Sequence, residues 1–173
     1  MSYFVIDVEA DGPVPPLYSM ISFGAVLVDK DRKLNQTFYG KTKPISSRFN
    51  LDAMAVSATT RKMHLGYDEP QKVMEDFFDW VTDNFSGRAV FMSDNVVFDW
   101  AFMNYYFHKF CGRNPFGYSG RRIGDLYCGL HKDPQIKWKH LREGVHDHHP
   151  VNDAKANASI LYQLQDLGVD FNF

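Results

Sequence analysis

The chain has 173 residues, 45% apolar and 16% aromatic, which suits one folded domain, residues 1–173, with a core of its own. Nineteen Lys and Arg against 21 Asp and Glu give a formal net charge of −2, which excludes a broad basic field for wrapping long duplexes. Contact with nucleic acid must then be local, metal-assisted or limited to a few nucleotides.

Tyr3–Val8 is a short β-branched and aromatic run and reads as a buried strand. After the turn-rich DGPVPP, a second strand is expected over Met20–Val28 and a third over Leu34–Thr42, making an antiparallel meander. Leu51–Thr60 has room for a short helix. Pro70 opens a longer one to about Asn84, with Val73, Phe77, Trp80 and Val81 on one face. A fourth strand, Arg88–Met92, ends in Ser93-Asp94-Asn95, a cluster suited to capping the aromatic helix Val96–Phe110. Ile123–Leu130 is a fifth strand or a short helix, and Pro150–Leu167 is a helix with Pro in its first turn. The order predicts an α/β fold, a mixed sheet flanked by helices. Cys111 and Cys128 lack metal-type spacing, and a reduced, cytoplasmic protein is expected rather than a disulfide. MSYFVIDVEADG has no basic n-region and Asp7 interrupts its apolar run, so no signal peptide is expected, and no stretch approaches a membrane span.

Three acidic loci fall where strands end or helices start. Asp7 and Glu9, two apart on the first strand, point to one face, where they repel each other and call for a positive charge between them. Two solvated acids at a strand end are the plainer alternative. Asp99 falls in the first turn of its helix and Asp153 in the first turn after Pro150, sites that the helix dipole favours for an anion in any case. His148 just precedes that last helix. Phe98, Phe102, Tyr105 and Tyr106 form a stripe that reads as core rather than as a base-stacking platform.

IDVEADG resembles the first motif of the DnaQ-like (DEDDh) 3′–5′ exonucleases, Asn95-x-x-Phe98-Asp99 their second, and His148-x-x-x-x-Asp153 their third. Ile21–Val26 and Leu51–Arg61 are similar to further segments of that family. The resemblance implies a ribonuclease H-like, five-stranded mixed sheet. It also implies an enzyme that cleaves single-stranded nucleic acid from its 3′ end and releases nucleoside 5′-monophosphates. Two Mg²⁺ or Mn²⁺ ions are implied as cofactors, on Asp7, Glu9, Asp99 and Asp153, with Asp99 acting largely through water. His148 is implied as the general base. Ala10, Asp11, Met20, Ala55, Val56, Ser57, Asn95 and Phe98 are implied at the terminal nucleotide. The sequence departs from the family at Ala10-Asp11, Ser93-Asp94 and Pro150, which touches specificity more than catalysis.

The single domain and modest charge suit trimming of short or exposed ends, with a lean to RNA over DNA. Many small relatives are homodimers, so self-association is open to this chain. Arg121, Arg122, Lys137, Lys139 and Arg142 are phosphate contacts or a solvated face. One rival is a catalytically silent nucleic-acid or protein-binding module on the same fold, although such modules usually lose an acid or the His. A metal phosphohydrolase reading of His146–His149 lacks an upstream partner His and leaves Asp7, Glu9 and Asp99 without a role.

Overall fold

Even-numbered residues of the first strand, β1 (Ser2–Ala10), bury Phe4, Ile6, Val8 and Ala10 against one layer of helices, while Tyr3 and Val5 face the other. That alternation sends Asp7 and Glu9 to the second side, where the apolar run stops and the site begins. The computed structural model describes residues 1–144, 147–171 and 173. His146, named above with its neighbours, lies outside them.

The sheet order is β3 (Thr37–Lys41), β2 (Met20–Leu27), β1, β4 (Ala89–Ser93), β5 (Gly120–Arg122). β1, β2 and β3 form the expected antiparallel meander, and β1, β4 and β5 run parallel. The fifth strand is the three residues before Ile123, and Ile123–His131 itself is a helix, α5.

Helices α3 (Pro70–Asp83) and α4 (Val96–Cys111) cover one face through Phe77, Phe102, Tyr106 and Phe107. The opposite face is covered by α5 and α6 (Pro150–Asp166), with Ile123, Ala154, Ala158, Leu161 and Leu164 inside. The short helices α1 (Leu51–Val56) and α2 (Arg61–Leu65) lie between β3 and α3 in the chain. Asn50 caps α1 by accepting from the N–H groups of Asp52 and Ala53, and Thr60 caps α2 through Met63 N–H. Asn95 occupies the N-cap position of α4 but makes no side-chain capping bond, contrary to the expectation from Ser93-Asp94-Asn95.

Gly24 controls the approach of α6. A Cβ built there would sit 2.3 Å from the Pro150 carbonyl carbon and 2.3 Å from the Val151 nitrogen. The first turn of α6 therefore rests on bare β2 backbone, opposite Asp7 in the β1–β2 register. Among the described residues no helix is long and apolar enough to cross a membrane.

Candidate active site

β1 pairs with β4 from Ser2 to Val5, and Asp7 and Glu9 lie beyond that ladder, at the carboxyl ends of the parallel strands. This is where ligands bind in open α/β sheets. A β-bulge at Glu9/Ala10 ends the regular pairing with β2. Asp99, in the first turn of α4, meets β1 at the residue between the two acids: its Oδ1 accepts the Val8 N–H at 3.2 Å. From the other side α6 brings Asp153, buried in its first turn. Glu9, His148 and Asp153 offer ligand atoms all within 4.8 Å of one another.

The carboxylates of the cluster repel one another. Burial holds Asp7 well above the usual carboxylate range, and Asp99, Glu9 and Asp153 each push it further, while Arg142 opposes them. Burial and then Asp153 raise Glu9 to about 7. Burial also raises Asp99 to about 7, with Asp94 and Glu9 adding repulsion and the bond from Val8 N–H working the other way. Each of these shifts penalises the charged form, so a cation among the carboxylates would relieve all of them. The donors are hard oxygens with one imidazole, a set that fits Mg²⁺ or Mn²⁺.

His148 is exposed and has φ +58°, a backbone conformation uncommon outside glycine but adopted by His more readily than by most residues. Asp147 holds the turn on either side of it. Its Oδ1 accepts the His149 N–H at 3.0 Å and its Oδ2 accepts from Asn152 Nδ2 at 2.8 Å. In the sequence Asp147 enters only the metal phosphohydrolase alternative, although an Asp two residues before a helix N-cap is a familiar Asx-turn signal.

The profile of the 3′–5′ exoribonuclease Rv2179c-like domain matches residues 2–165. The 3′–5′ DNA exonuclease Cap18 of Escherichia coli is 34% identical over 175 residues, covering 94% of this chain and 90% of that protein. The chain belongs to the Rv2179c-like branch of the DnaQ-like (DEDDh) 3′–5′ exonucleases. Among solved structures, the nuclease domain of 3′hExo, a DEDDh family member bound to rAMP, superposes with a TM-score of 0.77 at 20% identity. The match covers 96% of this chain and 92% of that one. The zinc-bound E. coli ExoI–ssDNA complex gives 0.71 at 15% identity, over 95% of this chain and 42% of the other. These two establish the ribonuclease H-like fold.

For a DnaQ-like exonuclease, the residues expected at the terminal nucleotide divide into two groups. Val56, Ser57 and His148 line one cleft of about 240 Å³, with Ala55 exposed alongside. Asn95 is exposed at the start of α4, and Phe98 is half-buried against Phe102, ring centroids 5.0 Å apart. Ala10, by contrast, is 7% exposed in the α3–α4 core.

Asp11 and Met20 require correction, because both are 0% exposed. Met20 opens β2 opposite Ala10, and the alternation turns its side chain into the core, while its N–H donates to Tyr106 Oη at 2.8 Å. Asp11 is a structural anion. Its Oδ1 accepts the Ser19 N–H and its Oδ2 pairs with Arg61 at 2.9 Å, with His64 Nδ1 3.6 Å away.

Phe102 and Tyr106 are fully buried, as the core reading of the aromatic stripe requires. The basic stretch is divided. Lys139 and Arg142 both pair with Asp94, Arg122 pairs with Asp125, and Arg142 also acts on Asp7.

Proposed function

We propose that this enzyme hydrolyses the last phosphodiester bond at the 3′ end of single-stranded nucleic acid and releases nucleoside 5′-monophosphates, with His148 as general base. The observation that carries this reading is the convergence of Glu9, His148 and Asp153 within 4.8 Å, on a face shared with Asp7 and abutted by Asp99. Asp7, Glu9, Asp99 and Asp153 would hold two Mg²⁺ or Mn²⁺ ions, which when bound neutralise charge on the attacking and leaving oxygens. His148 takes the proton of the attacking water through a neutral imidazole nitrogen. His148 is exposed on a turn that Asp147 bonds to His149 and Asn152, a placement that suits a residue acting on substrate. The bond from phosphorus to the 3′ oxygen of the preceding nucleotide breaks, leaving that strand with a free 3′ hydroxyl.

RNA is the preferred substrate in this reading, supported by the exoribonuclease description of the matching family. The 34% identical relative, named as a DNA exonuclease, favours a second reading in which the same site trims DNA. A cytoplasmic location belongs to the proposal and is supported by the two free cysteines, Cys111 and Cys128. Self-association into a homodimer stays open to this chain, as in many small relatives, and is tested by the mass in solution.

The deciding experiment incubates 5′-labelled single-stranded RNA and DNA oligomers with Mg²⁺ or Mn²⁺. A ladder shortening one nucleotide at a time, with 5′-monophosphates in the supernatant, is the expected result. Internal cuts or 3′-monophosphate products would overturn it.

A further inference from the structure

The catalytic face carries a cation that the hydrolytic reading does not use. The strand registers place Glu9 beside Ser22 and Ser22 beside Lys41, so these three residues form one row across the face that α6 covers. Two strand spacings, about 10 Å, separate the Glu9 and Lys41 backbones. Asp7, Gly24 and Tyr39 form the next row.

The Lys41 ammonium lies 5.2 Å from the centre of the Tyr39 ring and 5.3 Å from that of Tyr67. Tyr39 also meets the His149 ring, with centroids 4.8 Å apart. Lys41, Tyr39 and Tyr67 line the same cleft as His148, Val56 and Ser57, and Lys41 is the one Lys or Arg in that lining. Among the described residues Lys41 makes no ion pair, whereas nearby Lys43 is taken by Glu69 and Arg61 by Asp11.

Two features separate Lys41 from an ordinary solvated lysine. Exposed though it is, its ammonium rests against two rings, and contacts that hold it there reduce the entropy lost when a flexible cation grips an anion. It also stands beside a cluster of carboxylates that repels any phosphate chain entering the cleft, in a protein of net charge −2.

We propose that Lys41 is a substrate-anchoring residue whose ammonium holds a backbone phosphate of the single strand next to the bond being cleaved, with Tyr39 and Tyr67 fixing the side chain. The inference rests on the exonuclease reading and adds a binding contact to it. A phosphate held this way contributes to the salt dependence of binding, because each neutralised phosphate on a single strand adds about 0.7 to the slope of log affinity against log salt.

The test measures kcat, KM and the salt dependence of kcat/KM on a single-stranded oligomer, using wild type, Lys41→Ala, Lys41→Arg and, as an exposed control, Lys30→Ala. Lys41→Ala is expected to raise KM about five- to tenfold, leave kcat within about threefold, and flatten the salt slope by about 0.7. Lys41→Arg should restore most of the loss, and Lys30→Ala should match wild type. An unchanged KM and slope in an active Lys41→Ala enzyme overturns the anchor while leaving the exonuclease reading intact. If wild type cuts no oligomer, the exonuclease reading fails separately. Fluorescence anisotropy of a labelled oligomer then decides the anchor, and equal affinity in wild type and Lys41→Ala overturns it.

Discussion

Val8 donates its backbone N–H to Asp99 Oδ1 at 3.2 Å, across 91 residues of sequence, from a strand position flanked on both sides by an acid of the candidate site. The β1–β4 ladder ends three residues earlier, at Val5 and Met92, so a side chain from α4 supplies the acceptor that the neighbouring strand does not. Asp99 thus has a structural bond and a charge to contribute, and substitutions can separate the two. Asp99→Asn keeps an acceptor oxygen and removes a charge that burial disfavours. It should melt at or above wild type without metal while losing at least about 10²-fold in kcat. Asp99→Ala should melt below Asp99→Asn, because the buried Val8 N–H loses its partner at a cost of about 1–3 kcal/mol. Scanning calorimetry in EDTA checks the order, and the reverse order would deny the bond its structural part.

Metal should act as a folding ligand. Asp7 is raised by burial and by three neighbouring carboxylates, and a divalent ion removes that repulsion. At about 100 times its Kd such an ion contributes about 2.7 kcal/mol. Melting of the wild type is expected to rise on adding Mn²⁺, and to rise much less in Asp7→Asn, which should also lose at least about 10³-fold in turnover. Equal rises in both proteins would place the metal elsewhere.

The same repulsion fixes the sign of a pH effect in metal-free protein. Glu9 and Asp99 titrate near 7 when folded, above their ordinary 4.5 and 3.8, so the folded state holds more protons than the unfolded chain. Stability therefore falls as pH rises from about 4 to about 7 and levels off above that window. His64 opposes this: burial lowers it to about 4, so its contribution grows with pH up to about 6.5. Comparing wild type with Glu9→Gln in EDTA isolates the carboxylate part. The wild type should lose several °C more between pH 5 and pH 8, at about 2–4 °C per kcal/mol for a chain this long. Parallel curves would refute it.

His148 and His149 separate base catalysis from the architecture of the turn. His148→Ala should keep the Mn²⁺-induced melting shift and lose about 10²–10⁴ in kcat. His149, whose ring packs on Tyr39, should change kcat by less than about tenfold when replaced by Ala. A dead His149→Ala beside an active His148→Ala would move the base one residue along the chain.

Asp11 should behave as a strut. Arg61→Met leaves its buried carboxylate without its cation and should cost about 3–5 kcal/mol, as breaking one side of a buried pair does. Because Arg61 is itself 19% exposed in its side chain, the lower end is expected. Chemical denaturation measures the loss, and KM on oligomers well below the unfolding midpoint should stay within about threefold of wild type.

The placement of the candidate acids was readable because strand alternation and first-turn helix positions are local rules: Asp7 and Glu9 share a face, and Pro150 opens the helix that carries Asp153 in its first turn, while their proposed role came from the motif resemblance. Long-range partners were not. Nothing near Asp11 in the sequence points to Arg61, fifty residues on, so an acid following the motif read as a substrate contact. Met20 looked available because its burial depends on helix α4, whose Tyr106 takes its N–H. The strand at Gly120-Arg121-Arg122 was missed because it is short and polar and leaves no periodic signal, while the apolar segment after it, open to strand or short helix in the sequence, is the helix α5. Asn95 has the chemistry of a helix cap, yet its side chain is left exposed beside the site.

Gly24 has a bearing on how other chains of this kind are read. A sequence could keep all four acids and the histidine and still carry a side chain at the position corresponding to 24. It would pass every motif search for an active nuclease. Yet the first methyl group there would meet the Pro150 and Val151 backbone at 2.3 Å and force the last helix, with Asp153 on it, off the sheet. The residue at that position, a glycine with no side chain to act on a substrate, would therefore be a sixth marker for sorting working enzymes from degenerate copies.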